Sequence, residues 1–379
     1  MQYRKFGRTG IEVSALGFGA MRLPIVGDDY SKIDENEAIK MIRFAIDNGV
    51  NYVDTAYAYH EGNSEILVGK ALKDGYREKT NLATKLPSWL IKEKADMDKY
   101  LNEQLKKLDT DHIDFYLLHA LDKERWENYK KLDVFSWIDK VKKEGKIRYI
   151  GFSFHDEYDV FKGIIDDYDK WDFCQIQYNY MDINNQAGTK GLKYAASKGL
   201  GVVIMEPIRG GKLAGNPPDV IKELWDKSKV KRTPAEWALQ WVWNHPEVSI
   251  VLSGMSTMEQ VIQNIESASR SGANSFTEEE LELVDQVRNT YKKLSPVACT
   301  ACNYCMPCPN GVMIPRNFAI YNEACMYNNY KEALNNYNNL KDGKASSCIE
   351  CGQCETKCPQ HLTIIDYLKD VKKYFKEAI

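Results

Sequence analysis

Eight cysteines in the carboxy-terminal part of the chain fall into two runs, Cys299-x2-Cys302-x2-Cys305-x2-Cys308-Pro309 and Cys348-x2-Cys351-x2-Cys354-x3-Cys358-Pro359. Thiolates two residues apart on a curling loop can supply three corners of a cube of iron and sulfide, so both runs read as 4Fe–4S ligands. Paired cysteines at this spacing also bind zinc. Zinc, however, would leave the third cysteine of each run and both Cys-Pro steps without a role. Disulfides are a third possibility. The chain opens MQYRKFGRTG, without the apolar stretch of a signal peptide, and no segment approaches the ~20 apolar residues of a membrane span. The expectation is a cytoplasmic protein that does not associate with membranes, whose thiols stay reduced. Cys174 and Cys325 lie outside both runs and are expected to be small buried hydrophobes.

The second run matches the bacterial ferredoxin spacing residue for residue, and the first is one residue short before its fourth cysteine. In that resemblance the cysteine followed by proline crosses to the other cluster. It implies two clusters, one held by Cys299, Cys302, Cys305 and Cys358, the other by Cys348, Cys351, Cys354 and Cys308.

A second set of reactive side chains lies far upstream. Asp54, Lys85 and His119 each end a short apolar run, and Tyr59 follows Asp54 by five residues in DTAYAYHEGNSE. Singly they could be a helix cap, a solvated strand end, a core imidazole and one of 23 tyrosines. Their shared position is informative because of the elements that carry them. From about residue 10 to 290 short apolar runs alternate with amphipathic segments, the pattern of a parallel sheet with crossover helices. After a candidate amino-terminal hairpin, strands are expected at Ala15–Gly19, Asn51–Thr55, Asn81–Lys85, Ile113–His119, Tyr149–Ser153, Phe173–Gln177, Gly201–Glu206 and Ser249–Leu252. Gly49, Gly145 and Gly199 follow helical stretches and supply their left-handed stops. Eight such units in about 250 residues are the size of a (β/α)8 TIM barrel, where reactive groups gather at the carboxy-terminal ends of strands. An open doubly wound sheet lacks support, since neither Gly17-Phe-Gly19 nor Gly211-Lys212 completes a nucleotide fingerprint.

The region resembles the aldo-keto reductase family, on the opening MQYRKFGRTGIEVSALGFGAMRLP, on VDTAYAY, LATK and YLLH, and on WALQWVWNHPEVSIVLSGMSTMEQVIQNI. The resemblance implies that Asp54, Tyr59, Lys85 and His119 are catalytic. It places the nicotinamide carboxamide on Ser153 and Gln175, and puts Met205 where many members stack a tyrosine. Phe154 replaces the usual asparagine after Ser153. In the eighth unit it implies a cofactor site at Gly254, Ser256, Glu259, Gln260 and Asn264, with Gly254 and Gln260 standing where NADP-preferring members carry a lysine and an arginine. Arg209 and Lys212, after the seventh barrel strand, are candidates for the pyrophosphate or for the missing cations.

These residue types suit carbonyl chemistry. Hydride addition builds negative charge on oxygen, which must be protonated as it forms. A phenol is a poor acid near neutrality unless a neighbouring cation lowers its pKa, and Lys85 is expected to be that cation, held by Asp54. His119 would orient the carbonyl. NAD(H) or NADP(H) would supply the hydride, and with the basic pair missing NADH is expected to bind at least as well as NADPH.

Residues 1–292 therefore read as a barrel and 293–379 as a small, mainly α-helical iron–sulfur domain, the helix TEEELELVDQVRNTYKK leading into it and a helical segment Pro315–Asn339 separating the cysteine runs. With 51 Lys and Arg against 54 Asp and Glu the net charge is −3, which gives no footprint for nucleic acid. The fusion leaves two readings. One is a nicotinamide-dependent oxidoreductase acting on a small carbonyl or alcohol; the other is an electron-transfer module coupling a ferredoxin-like partner to a barrel with a changed cofactor or lost reductase activity.

Overall fold

The structure, a computed structural model, describes residues 1–376. Its contacts divide the chain into two compact units, Met1–Gly210 with Glu236–Phe276, and Gly211–Ala235 with the residues from Thr277 onward.

The first unit opens with the antiparallel pair β1 (Tyr3–Lys5) and β2 (Glu12–Ser14). Eight strands follow, each succeeded by one or more helical segments: β3 (Leu16–Gly19), β4 (Tyr52–Asp54), β5 (Asn81–Leu86), β6 (Ile113–Leu121), β7 (Ile147–Phe154), β8 (Phe173–Gln177), β9 (Gly201–Met205) and β10 (Ile250–Gly254). All eight expected strands are present, with ends moved by at most two residues. They pair in parallel and in chain order, and β10 returns to β3 in the register Val251↔Leu16 through Gly254↔Gly19, closing the barrel. A closed parallel sheet covered by helices buries both strand faces, which is why its strands read as apolar runs rather than alternating ones. Phe6 and Val13 of the hairpin region join Tyr52, Phe115, Leu117, Phe173, Val203, Ile250 and Leu252 in one interior cluster. Phe6 meets Phe115 edge-on at 4.7 Å.

Local chemistry sets the helix ends. Asp34 accepts from the Glu37 amide at the start of helix Glu35–Asp47, and Gly49 beyond its end sits at φ 93°. One strand is irregular: β6 carries a bulge between Leu118 and Leu121, with Ala120 at φ 53°.

In the second unit, helix Asp219–Trp225 packs on helix Glu278–Lys293, which Thr277 and Glu280 open with a reciprocal capping box. The expected helical segment Pro315–Asn339 is two helices, Ile314–Tyr327 and Tyr330–Asn338, because Asn328 turns left-handed at φ 50° and stops the first. With helix Ile364–Tyr374 they enclose a core of Val312, Ile314, Phe318, Tyr337, Ile364, Leu368 and Phe375, against which six of the eight cysteines of the two runs pack. Cys174 is buried as expected. Cys325 is only partly covered and hydrogen-bonds Tyr374, which corrects the reading of it as a core residue.

Candidate functional site

Parallel strands in a barrel all end on one rim, so residues far apart in sequence meet there. Asp54 is the last residue of β4 and Lys85 the penultimate residue of β5. Lys85 Nζ donates to Asp54 Oδ1 at 2.8 Å, to the Thr55 carbonyl at 2.8 Å and to Tyr59 Oη at 3.2 Å. Neither charged group reaches solvent, Lys85 being 0% and Asp54 2% exposed. Burial works against the ammonium, but Asp54 and then Tyr59 outweigh it, and the Lys85 pKa lies above its ordinary value. Burial also pushes the Asp54 carboxyl up against the pull of Lys85.

The Tyr59 phenol corrects an expectation. Burial raises its pKa, and Lys85, the main influence lowering it, offsets only part of that rise. Tyr59 therefore holds its proton through the neutral range. The ammonium beside it stabilises the phenolate that proton donation would leave.

His119 lies in the irregular part of β6, where the bulge re-aims the chain. Its ring meets that of Tyr59 edge-on at 6.2 Å and lies 5.1 Å from Trp89, itself 41% exposed. Burial, then Lys85, hold the imidazole pKa well below its ordinary value, so the ring is neutral. Its Nδ1 is buried without a hydrogen-bond partner. A neutral imidazole and a protonated phenol flanking one mouth, with a buried ammonium behind, can orient a carbonyl oxygen and protonate it.

A second layer holds these groups. Gln104, on helix Lys94–Leu108, donates to the Lys85 carbonyl at 3.0 Å and to Glu65 Oε1 at 2.6 Å, and accepts from Tyr116 at 2.6 Å. Burial pushes the Glu65 carboxyl up. Sequence reasoning missed this network, although Glu65 inside the apolar stretch of helix Asn63–Ala71 was a signal. Trp89 was missed because the turn carrying it has no periodicity.

The expected cofactor residues of the first unit occupy the remaining strand ends. Ser153 of β7 accepts from the Ala120 amide at 2.6 Å and keeps its own hydroxyl proton to donate. Gln175 of β8 is 2% exposed; its Nε2 contacts Met205 Sδ at 3.6 Å and its Oε1 is buried with no partner. A carboxamide bonded by Ser153 and Gln175 would use that unpaired oxygen, so these side chains fit a nicotinamide. Phe154 turns away from this rim and packs on Phe161 at 5.0 Å. In the eighth unit Asn264 donates to Ser253, Gln260 accepts from the Ser256 amide, and Glu259 accepts from Gln263. Gly254 ends β10 beside Arg22, which the sequence reading had not singled out as a binding residue. Arg209 Nε pairs with Asp182 at 3.1 Å. Lys212 belongs to the second unit, where it pairs with Glu323 at 2.7 Å.

In the second unit the two cysteine loops repeat one local conformation. The Ala301 amide donates to Cys299 Sγ and the Glu350 amide to Cys348 Sγ, both at 3.4 Å. Ala301 and Asn303 have φ of 55° and 62°, and Glu350 and Gly352 have 59° and 74°, at matching offsets from the first cysteine of each run. Such alternation turns successive amides inward, the backbone form that surrounds anionic groups. Two cavities adjoin these loops. Cys299, Cys302, Cys305 and Cys358 line one beside Ile314, Phe318 and Leu362. Cys305, Cys308, Cys348, Cys351 and Cys354 line the other beside Val312, Ile365 and Leu368, so Cys305 borders both cavities. Each cavity thus takes three or more cysteines from one run and at least one from the other. Among the described residues no three His, Cys, Asp or Glu side chains gather as a site for a single metal ion.

The aldo/keto reductase family profile matches residues 15–289 and a 4Fe-4S dicluster domain profile matches residues 298–363. The chain belongs to the aldo/keto reductase family of oxidoreductases, with a 4Fe-4S dicluster domain at its carboxy-terminal end. Among its relatives, L-galactose dehydrogenase of Arabidopsis thaliana is 29% identical over 318 residues, which cover 78% of this chain and 97% of the relative. The uncharacterized oxidoreductase YrpG of Bacillus subtilis is 28% identical over 313 residues, covering 70% and 90% respectively. Among solved structures, the holo form of aldo-keto reductase AKR11C1 from Bacillus halodurans superposes with a TM-score of 0.62 at 28% identity, covering 76% of this chain and 96% of that one. Among the described residues no helix is long and apolar enough to cross a membrane.

Proposed function

We propose that the protein reduces a small aldehyde or ketone, or oxidises the corresponding alcohol, with NAD(H) or NADP(H), and that its second unit holds two 4Fe–4S clusters. The observation that carries the first part is the hydrogen-bonded line Asp54–Lys85–Tyr59 beside a neutral His119. Bound against Ser153 and Gln175, a reduced nicotinamide would supply the hydride. The chain's own residues do the rest. His119 offers a hydrogen bond to the carbonyl oxygen and orients it, Tyr59 gives that oxygen a proton as charge develops, and Lys85 stabilises the phenolate left behind. Asp54 keeps Lys85 charged and in place.

For the clusters, Cys299, Cys302, Cys305 and Cys358 would hold one, and Cys308, Cys348, Cys351 and Cys354 the other. The mixed composition of the two thiol-lined cavities supports this crossed assignment. Each cluster would carry one electron at a time. We place the functional boundary at 292/293, although helix Glu278–Lys293 shares most of its contacts with the second unit.

The 4Fe-4S dicluster domain on the same chain as a family built for two-electron chemistry supports one further reading, in which a ferredoxin-like partner exchanges electrons with this domain. Anaerobically purified protein tests both. Steady-state carbonyl reduction with NADH or NADPH alone supports the reductase reading, and turnover only with reduced ferredoxin or a viologen dye replaces it with the electron-transfer one.

A further inference from the structure

We propose that Arg22 grips the diphosphate of the nucleotide, and that position 254 is a glycine because the Arg22 side chain needs its space. This inference rests on the nicotinamide reading above.

Three observations within the first unit carry it. A Cβ built on Gly254 would meet Arg22 Cβ, Cγ and Cδ at 3.2 Å, closer than ordinary van der Waals contact, so the aliphatic stem of Arg22 lies against the end of β10. A Cβ built on Gly210 would meet Arg22 Nη2 at 3.3 Å, so the guanidinium points to the loop that follows β9. Ser256 Oγ donates to the Arg22 carbonyl at 2.7 Å and ties the segment after β3, which carries Arg22, to the eighth unit. The arginine thus spans the rim from the end of β10 to the loop after β9, two of the segments to which the sequence assigns the nucleotide.

Its charge is also available. Asp182 engages Arg209 and Glu323 engages Lys212, and Gly254 and Gln260 carry no charge. Among the described residues no carboxylate pairs with Arg22, which is exposed. An unpaired guanidinium held at its stem, with its planar fork free, suits bidentate contact with phosphate oxygens. Because the head lies against Gly210, in the loop whose cations the sequence offers to the pyrophosphate, the group assigned to it is the diphosphate common to both nucleotides, and the 2′-phosphate is the alternative that a comparison of NADH with NADPH tests. A merely solvated arginine would leave nucleotide affinity unchanged.

The test is direct binding to the cluster-loaded protein, read by tryptophan fluorescence or calorimetry, with NADH, NADPH, ADP-ribose and adenosine as probes. Arg22→Ala is expected to weaken the three diphosphate-bearing probes by a similar factor, roughly tenfold or more for the loss of a charge-assisted contact, and to leave adenosine unchanged. Arg22→Lys should recover part of the loss. Gly254→Val should reproduce it with Arg22 still present, by pushing the stem aside. Unchanged affinities in Arg22→Ala, a loss confined to NADPH, or an equal loss for adenosine would each overturn the proposal while leaving the nicotinamide reading intact. Failure of the unaltered protein to bind either dinucleotide would instead remove the reading on which it rests.

Discussion

Lys85 Nζ lies 2.8 Å from Asp54 Oδ1 at a place where neither side chain reaches water. Two charges in such a position are tolerated because each is the other's partner, and because the ammonium spends its two remaining donors on the Thr55 carbonyl and the Tyr59 phenol. Asp54 Oδ2 and His119 Nδ1 remain buried without partners. Both of these unpaired atoms lie at the rim that carries the fully engaged lysine, as expected of a site that keeps polar groups for a ligand.

Tyr59→Phe is expected to lower carbonyl reduction by about two to four orders of magnitude, the usual contribution of a positioned acid, with nucleotide affinity preserved because the ring still packs. Equilibrium titration beside steady-state rates separates the two effects. Full activity in this variant would return Tyr59 to a structural role.

Removing one member of the buried ion pair should cost more than removing both. Asp54→Leu leaves an uncompensated charge and is expected to destabilise the protein by about 3–5 kcal/mol, whereas Asp54→Leu with Lys85→Met replaces the pair by apolar groups and should recover much of that. Denaturant unfolding of the three proteins checks this. The double variant should be stable and inactive, a combination that a purely structural ion pair would not produce.

The protonation states imply a flat rate profile. Tyr59 titrates above the ordinary tyrosine value of about 10 and His119 well below the ordinary histidine value of about 6.5, so neither changes charge between these limits in the free protein. The pH dependence of kcat/KM for reduction should be level from about 7 to 9. A limb inside that interval that disappears in Tyr59→Phe would show the phenol to be far more acidic than its burial allows.

Stability should depend on pH at the acidic side instead. His60, His119, His155 and His245 all have depressed pKa values, with burial as the first cause. Below about pH 6.5 the unfolded chain takes up protons on these rings while the folded chain does not yet, so stability falls with falling pH from there down to the folded values. His119→Asn should flatten this dependence, as measured by the denaturant midpoint between pH 5 and 8. An unchanged slope would mean that His119 takes up its proton in the fold as readily as in the unfolded chain.

For the cysteines, iron and acid-labile sulfide should each approach about eight per chain when both clusters are complete. Cys358→Ser should deplete the cluster of Cys299, Cys302 and Cys305 and spare that of Cys348, Cys351 and Cys354; Cys308→Ser should do the reverse. Spectroscopic loss of the opposite cluster would mean that each run serves only itself, and stoichiometric zinc without sulfide would remove the iron–sulfur reading.

The barrel was legible before folding because its strands are buried on both faces, so each appears as an apolar run ended by a helix signal, and because residues that finish successive strands of a parallel barrel must share a rim. Asp54, Lys85 and His119 could be brought together on that argument. The cysteine runs were legible for a local reason: their spacing is the ligand geometry itself. The sign of the Tyr59 shift was not, since it depends on how much water the fold removes relative to the pull of Lys85, and burial is a property of the packed whole. Nor was the fate of the loop cations. Arg209, Lys212 and Arg22 look alike as letters in a chain. Which of them is neutralised by Asp182 or Glu323, and which lies unpaired across Gly254, follows from the approach of segments far apart in sequence. Sequence periodicity carries the positions of elements; the charge left over at their ends is settled only by what packs beside them.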